Sequence, residues 1–190
     1  PLIVVISLLL SLLLNSKIHF SHGFRTAFIV PLVVPVASVI IFFELLFDYR
    51  GFLNSFFKLF DIAPIDWLNS SYAMIAVIII YVWKNVGYNI VLFLAGLQGI
   101  PKEYYEAASI DGAGPVAKFF NITLVYLMST TFFVIIISII NSFKVFREVY
   151  LLAGDYPHQS IYMLQHYMNN AFRKLDYHKL VTAAILMTLV

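Results

Sequence analysis

Two stretches of the chain gather side chains that could do chemistry. The first reads Ile100-Pro101-Lys102-Glu103-Tyr104-Tyr105-Glu106-Ala107-Ala108-Ser109-Ile110-Asp111-Gly112-Ala113-Gly114-Pro115. Pro101 fits the first turn of a helix, and Lys102 to Ile110 contains no breaker. Asp111-Gly112 supplies a stop, because glycine tolerates the left-handed conformation that closes a helix. Pro115 can start a second short helix. The pattern predicts a helix of about two turns held crosswise between two apolar runs. On it Tyr104, Ala108 and, one turn on, Asp111 share one face, while Ala107 leaves room for another surface to approach closely. From the residues alone, a hairpin lying in a headgroup layer is an equally good reading. The second stretch is Lys84, Asn85, Tyr88 and Asn89, in the middle of an apolar run. Asn85, Tyr88 and Asn89 fall within about one turn and form a polar sector where exposure to an apolar solvent would be costly.

Elsewhere the reactive types are scattered. There is no G-x-x-x-x-G-K-[ST] phosphate loop, so this chain is not expected to hydrolyse ATP itself. His19 and His22 sit three apart without an H-E-x-x-H, and His158, His166 and His178 are dispersed and read as polar loop histidines. No metal site is expected. Asp48, Asp61 and Asp66 match no oxygen-ligand loop and read as solvated charges. Ser129-Thr130-Thr131 suit helix packing or bonds back to the backbone better than nucleophilic attack. With no cysteine there is no disulfide framework, thiolate metal site or thiol redox chemistry.

The elements that carry these residues follow from composition. The 190 residues are 62% hydrophobic, 17% aromatic and only 12% charged, with a mean hydropathy of +0.90. A soluble domain carries about twice that charge, roughly 25%. Disorder, a coiled coil and a nucleic-acid binder are excluded, and the net charge of +2 projects no field toward a polyanion. The solvent is lipid. Long unbroken apolar runs predict an all-α, polytopic transmembrane helical bundle rather than a barrel of alternating segments.

The expected spans are residues 2–14, 26–47, 73–97, 120–140 and 180–190, with the loop 98–119 holding the short crosswise helix. The run 26–47 reaches roughly 33 Å, enough for a ~30 Å hydrocarbon core, and Pro31 and Pro35 predict a kink or an unwound start. The first and last runs are short, the chain begins without Met, and it stops inside an apolar stretch. It is therefore expected to be a fragment truncated at both ends. Basic residues do not orient the bundle: Lys17, Arg25, Lys102 and Lys118 on one set of connections match the density on the other.

Glu106-Ala107-Ala108, Asp111-Gly112-Ala113 and Ile122-Thr123-Leu124 together resemble the EAA motif of ABC-importer permeases, the membrane subunits of binding-protein-dependent uptake systems. Trp83, Gly87-Tyr88-Asn89, Leu94-Ala95-Gly96-Leu97-Gln98, Ile100-Pro101, Phe52-Leu53-Asn54, Trp67-Leu68 and Phe143-Lys144-Val145-Phe146 are similar to the carbohydrate branch of that family. The segment Asn141 to Tyr150 resembles the first permease of maltose- and glycerol-3-phosphate-type pairs. The resemblance covers essentially the whole chain. Two places depart from it. Leu124-Val125 stands where family members usually carry Leu-Pro, which predicts a less bent start of the fourth span. Leu152-Ala153-Gly154-Asp155-Tyr156-Pro157 stands where Thr-Gly-Gly-Pro is usual, so contact with the substrate-delivering protein is expected to differ.

What the resemblance implies is a MetI-like type I permease domain, multi-pass in the cytoplasmic membrane of a prokaryote and not itself an enzyme. Glu106 would pair with a basic or amide donor on an ABC ATPase subunit, Ala107 and Ala108 would allow close packing, and Asp111-Gly112 would make the turn. The chain would have no cofactor of its own. Its partners would be the ATPase subunits that hydrolyse ATP, a second permease subunit, an extracytoplasmic solute-binding protein and membrane lipid. The cargo would be a sugar or related polyol, with polyamine, phosphate or peptide as the alternative. A membrane-embedded enzyme would need a paired catalytic set, which is absent; an inert scaffold would be indifferent to Glu106. Asn85, Tyr88 and Asn89 could line the passage or merely join helices. Lys84 could snorkel, pair with Glu44 or line a wet cavity. Trp67, Tyr72 and Tyr81 fit interface anchors better than a sugar-stacking platform.

Overall fold

The computed structural model describes residues 1–15 and 21–189, and of residues 21, 22, 24 and 25 only the backbone. Lys17 and His19 fall outside the described residues, as do the side chains of His22 and Arg25. The described residues are helical and contain no strand. In chain order the helices are α1 (Leu2–Asn15), α2 (Ser21–Val33), α3 (Val36–Phe47), α4 (Phe52–Lys58), α5 (Ala73–Gln98) and α6 (Lys102–Ile110). A single turn α7 (Pro115–Lys118) follows, then a π turn over Phe119–Thr123 and α8 (Leu124–Tyr126). The chain continues as α9 (Met128–Lys144), α10 (Phe146–Ala153), a 3-10 turn at Gln159–Ile161, α11 (Leu164–Arg173) and α12 (Tyr177–Leu189).

By length and apolarity, two runs among the described residues can cross a bilayer: Ala73–Gln98 and Met128–Ala153, each 26 residues. A third is available if α2 and α3, broken at Val34-Pro35, count as one span. The break falls where proline removes a backbone donor and disfavours helix in the residue before it. The fourth apolar run differs from its expected bounds. Its long helix α9 starts at Met128 rather than residue 120 and runs past Asn141 and Ser142 to Lys144, and after a single turn residue, Val145, α10 carries the run on to Ala153. Polarity alone does not end a helix. Gly154, at φ +75°, does.

The chain forms two compact units, Pro1–Val33 with Val82–Ser142, and Val34–Tyr81 with Phe143–Val190. In the first, Phe93, Leu97, Ile100, Leu127 and Val134 make a buried cluster against which Val4, Leu8, Leu12, Tyr105 and Ile122 pack. In the second, Val39, Ile40, Phe43, Phe47, Trp67, Ala76, Ile80 and Leu152 make one cluster, and Ala73, Val77, Val149 and Ile161 another. Along α9 only Val134 and Ser138, one turn apart, are buried, while Phe132, Phe133, Ile135, Ile136, Ile139 and Ile140 stand exposed. So wide an apolar surface is untenable in water and matches a hydrocarbon surround.

Candidate functional site

Helix α6 is short and has no buried residue. Such a helix cannot persist on propensity alone, so its ends and its attachments must hold it. Pro101 precedes it with extended backbone (φ −61°, ψ 135°), and Glu103 places negative charge in the first turn, where the helix dipole favours it. Its C-terminus closes with paired reverse hydrogen bonds: Gly112 N–H donates to the Ser109 carbonyl at 3.1 Å and Ala113 N–H to the Ala108 carbonyl at 2.8 Å. Gly112 sits at φ +78°, the conformation this closure demands.

The EAA residues divide between two faces. Glu106 and Ala107 are exposed, together with Glu103 and Ile110, so positions 103, 106, 107 and 110 form an outward stripe. Ile110 is 87% exposed and Val116 on α7 is 70% exposed. These two bare apolar side chains, Ile110 one turn from Glu106 on α6, escaped the sequence reading, which had no means of telling an inward isoleucine from an outward one. Ala108 is half-buried and turns inward with Tyr105. Tyr104, one turn before Ala108 on the same helix, lays its ring against Tyr126, with centroids 5.1 Å apart. Asp111 is exposed at the helix end.

Beyond the turn, the backbone is not straight. Leu124 N–H reaches back to the Phe119 carbonyl, a π turn, and a second irregularity follows at Leu127. Replacing the usual Leu-Pro by Leu124-Val125 therefore does not give a regular helix. The irregularity lies upstream, at Phe119–Thr123, and bends of this kind recur where helices must articulate.

The polar sector of α5 is only partly accounted for by packing. Asn89 is 2% exposed and its Nδ2 donates to Ser138 Oγ of α9 at 3.1 Å. Asn85 and Tyr88 are half-buried. Next to them Gly87 is where α2 and α5 touch: a Cβ there would lie 1.7 Å from the Phe28 carbonyl oxygen. The groove on the same stretch of α5, about 260 Å³, is lined by Ile29, Ile90, Val91, Leu94, Ala95 and Gln98 and is almost wholly apolar.

One histidine departs from its expected place. His166, read as a polar loop residue, lies on α11 and is fully buried among Phe146, Tyr150 and Tyr162. Burial pushes its pKa below the ordinary value, and the charge of Asp155 opposes that shift. Asp155 is in turn held below the usual carboxylate range by the Tyr150 hydroxyl and by Arg173, with which it forms an ion pair. Among the described residues no group of three metal-ligating side chains comes together.

The sequence profile of a family described as "Binding-protein-dependent transport system inner membrane component" matches residues 3–190. The chain belongs to that family. Over 154 residues it is 38% identical to the arabinooligosaccharides transport system permease protein AraP of Bacillus subtilis, covering 79% of this chain and 49% of that protein. Over 141 residues it is 35% identical to the sn-glycerol-3-phosphate transport system permease protein UgpA of Yersinia pestis, covering 74% and 48% respectively. The chain spans about half the length of these curated relatives. In three dimensions it is similar to a chain in the crystal structure of a bacterial ABC transporter involved in import of the acidic polysaccharide alginate. There the TM-score is 0.85 at 19% identity, over 96% of this chain and 66% of that one. The fold is thus that of an ABC-transporter membrane subunit, all-α and membrane-embedded, and the named relatives are transport permeases.

Proposed function

We propose that the chain is the membrane-spanning permease portion of an ATP-driven importer for a sugar or related polyol, and that α6 is its contact with an ATPase subunit. The observation that carries this is the placement of Glu106, Ala107 and Ile110 on the outward stripe of a helix whose opposite face is fastened to the rest of its unit. An exposed carboxylate beside a small residue and a bare isoleucine suits a groove with a donor and an apolar floor. The chain contributes no catalytic group: ATP is hydrolysed by the partner subunits, which work with a second permease and an extracytoplasmic solute-binding protein. Motion of α6 then swings the spans between inward-open and outward-open states, a two-state device biased by nucleotide. The cargo class rests on relatives that are named for an arabinooligosaccharide and for glycerol 3-phosphate.

The test is ATP-dependent uptake by the reconstituted full-length complex, comparing the native protein with Glu106→Ala and Gly112→Asp. Labelled arabinotriose, maltose, glycerol 3-phosphate, a polyamine and a peptide are supplied through the binding protein. Loss of uptake or of ATPase co-purification in both variants, with the protein still folded in the membrane, supports the assignment. Normal assembly and transport in both would sink it, leaving α6 as an interfacial hairpin. Uptake of the polyamine or peptide alone would replace the cargo class and keep the rest.

A further inference from the structure

The attachment of α6 to the start of the fourth span is a closed ring of hydrogen bonds. Tyr105 OH and Thr123 Oγ1 are 2.8 Å apart, and Thr123 Oγ1 is 3.5 Å from the Lys118 carbonyl, to which it donates. On the other side, Lys118 Nζ donates to Ser109 Oγ at 2.6 Å, and Ser109 Oγ donates to the Tyr105 carbonyl at 2.7 Å. A hydroxyl has one proton to give. Thr123 spends its proton on Lys118, so Tyr105 is the donor in their pair, and every donor in the ring has a consistent acceptor. Tyr105 and Ser109 lie one turn apart on α6, so the helix is held at two points of one face and cannot roll about its axis without breaking a bond. Lys118 and Thr123 bracket the π turn. The ring therefore grips the π turn, one of the irregular segments between α6 and the long helix.

The covalent link alone could not do this. Asp111–Gly114 holds two glycines, and Cβ atoms added at Gly112 or Gly114 would meet nothing within 4 Å. This is an open, loosely surrounded turn. We infer that Tyr105, with Thr123, Lys118 and Ser109, is the joint that makes α6 and the start of the fourth span move as one piece. The inference rests on the reading of α6 as the ATPase contact. These are positioning residues, acting through the backbone they hold rather than on cargo or nucleotide.

The full-length complex in proteoliposomes tests it with Tyr105→Phe and Thr123→Val, their double variant, Thr123→Ser and Glu106→Ala. Tyr105→Phe keeps the ring packed against the buried cluster of its unit and removes only the hydroxyl. Two quantities are measured: uptake of arabinotriose or glycerol 3-phosphate per ATP hydrolysed, and the distance distribution between spin labels at Lys102 and Phe132 with and without ATP. In both single variants, ATPase co-purification and hydrolysis are expected to stay within about twofold. Uptake per ATP falls at least about fivefold, the lower end of typical couplings, or the label distances broaden on adding ATP while the native distribution holds. The double variant is no worse than either single one, and Thr123→Ser restores the native result. If neither quantity moves in the two single variants while Glu106→Ala abolishes uptake, the joint is wrong and the ATPase contact survives. If Glu106→Ala is also without effect, both fall. Loss of assembly in both single variants would make the ring a folding element and overturn the inference.

Discussion

The side-chain oxygen of Asn54 accepts a hydrogen bond from the indole Nε1 of Trp67 at 3.3 Å, and the same oxygen accepts from Ile65 N–H at 3.0 Å. The amide nitrogen of Asn54 donates to the carbonyls of Ile65 at 2.7 Å and Tyr49 at 3.1 Å. One asparagine, 5% exposed, thus fastens the irregular chain after α4 back onto α4 and the turn before it. It also anchors Trp67, whose ring packs against Phe47 and Phe57.

Asn54→Ala would leave the Trp67 indole and the Ile65 amide short of an acceptor. At about 1–3 kcal/mol for a buried group left unpaired, a loss near 3 kcal/mol is expected. Asn54→Asp should be no better, because it turns a carboxylate oxygen toward the Tyr49 and Ile65 carbonyls. The check is Trp67 fluorescence during thermal unfolding in detergent, in a Trp83→Phe background. An unchanged midpoint in Asn54→Ala would contradict this role.

That cluster shows how much the sequence could tell. Asn54 stood out only through family resemblance and Trp67 through that and as an interface anchor, and nothing in a spacing of 13 residues announces their contact. The helix α6 was legible because Pro101 and Asp111-Gly112 punctuate it locally, and α5 because its length and apolarity suffice. The π turn, the start of the fourth span at Met128 and the burial of His166 were not. Each depends on partners far along the chain: Tyr105 with Thr123, and His166 with Phe146. A polar residue such as Asn141 was taken as a span boundary, whereas α9 runs on to Lys144 and α10 continues to Ala153, ending where Gly154 takes a positive φ.

Gly112→Ala should loosen the closure of α6. The added methyl meets open space, so the cost is conformational, about 1–2 kcal/mol for an L-residue in the left-handed region. Gly112→Asn should cost less, since asparagine visits that region more readily. Trypsin cleavage at Lys102 and Lys118 reads the difference. The alanine variant is expected to be cut about five- to thirtyfold faster, at about 1.4 kcal/mol per decade, with the asparagine variant between it and the native protein. Equal rates for all three would show that the turn bears no strain.

Gly87→Ala should be among the most damaging single-methyl additions in the chain. The Phe28 carbonyl that the new Cβ would strike is backbone and cannot swing aside. Overpacking usually costs about 1–3 kcal/mol, and a rigid neighbour puts this site at the upper end or beyond. Thermal stability in detergent is the measurement, and a loss below about 1 kcal/mol would show that α2 moves away from α5 easily.

Asn89 and Ser138 separate a packing contact from a passage. As interhelical partners, they should show a coupling of about 0.6 kcal/mol, and at most about 1.7, in a double-mutant cycle with alanine. Uptake by Asn89→Ala should then keep its KM, whereas Asn85→Ala or Tyr88→Ala should raise it if those side chains touch cargo. A raised KM in Asn89→Ala with no coupling to Ser138 would put Asn89 in the passage instead.

His166 should make its segment sensitive to acid. Its Nδ1 accepts a hydrogen bond from Met163 N–H at 3.1 Å, so the proton of the neutral ring sits on Nε2. Charging the ring would place a second proton on Nδ1, pointing at that N–H, inside a box of aromatic rings. Phe146 stands 4.8 Å away and Tyr162 5.4 Å. Burial therefore lowers the folded-state pKa below the ordinary 6.5, against the pull of Asp155. The unfolded segment binds more protons than the folded one below that pH, so stability is complete above about 6.5 and declines as pH falls toward the lowered value. Hydrogen-exchange protection factors over residues 163–171, corrected for the intrinsic pH dependence of exchange, should be high at pH 7.5 and lower at pH 5. His166→Phe should flatten that dependence. Asp155→Asn removes the opposing charge, so the His166 titration should move to lower pH still. A ring titrating at or above 6.5 in the folded protein would show that the box does not exclude the charge.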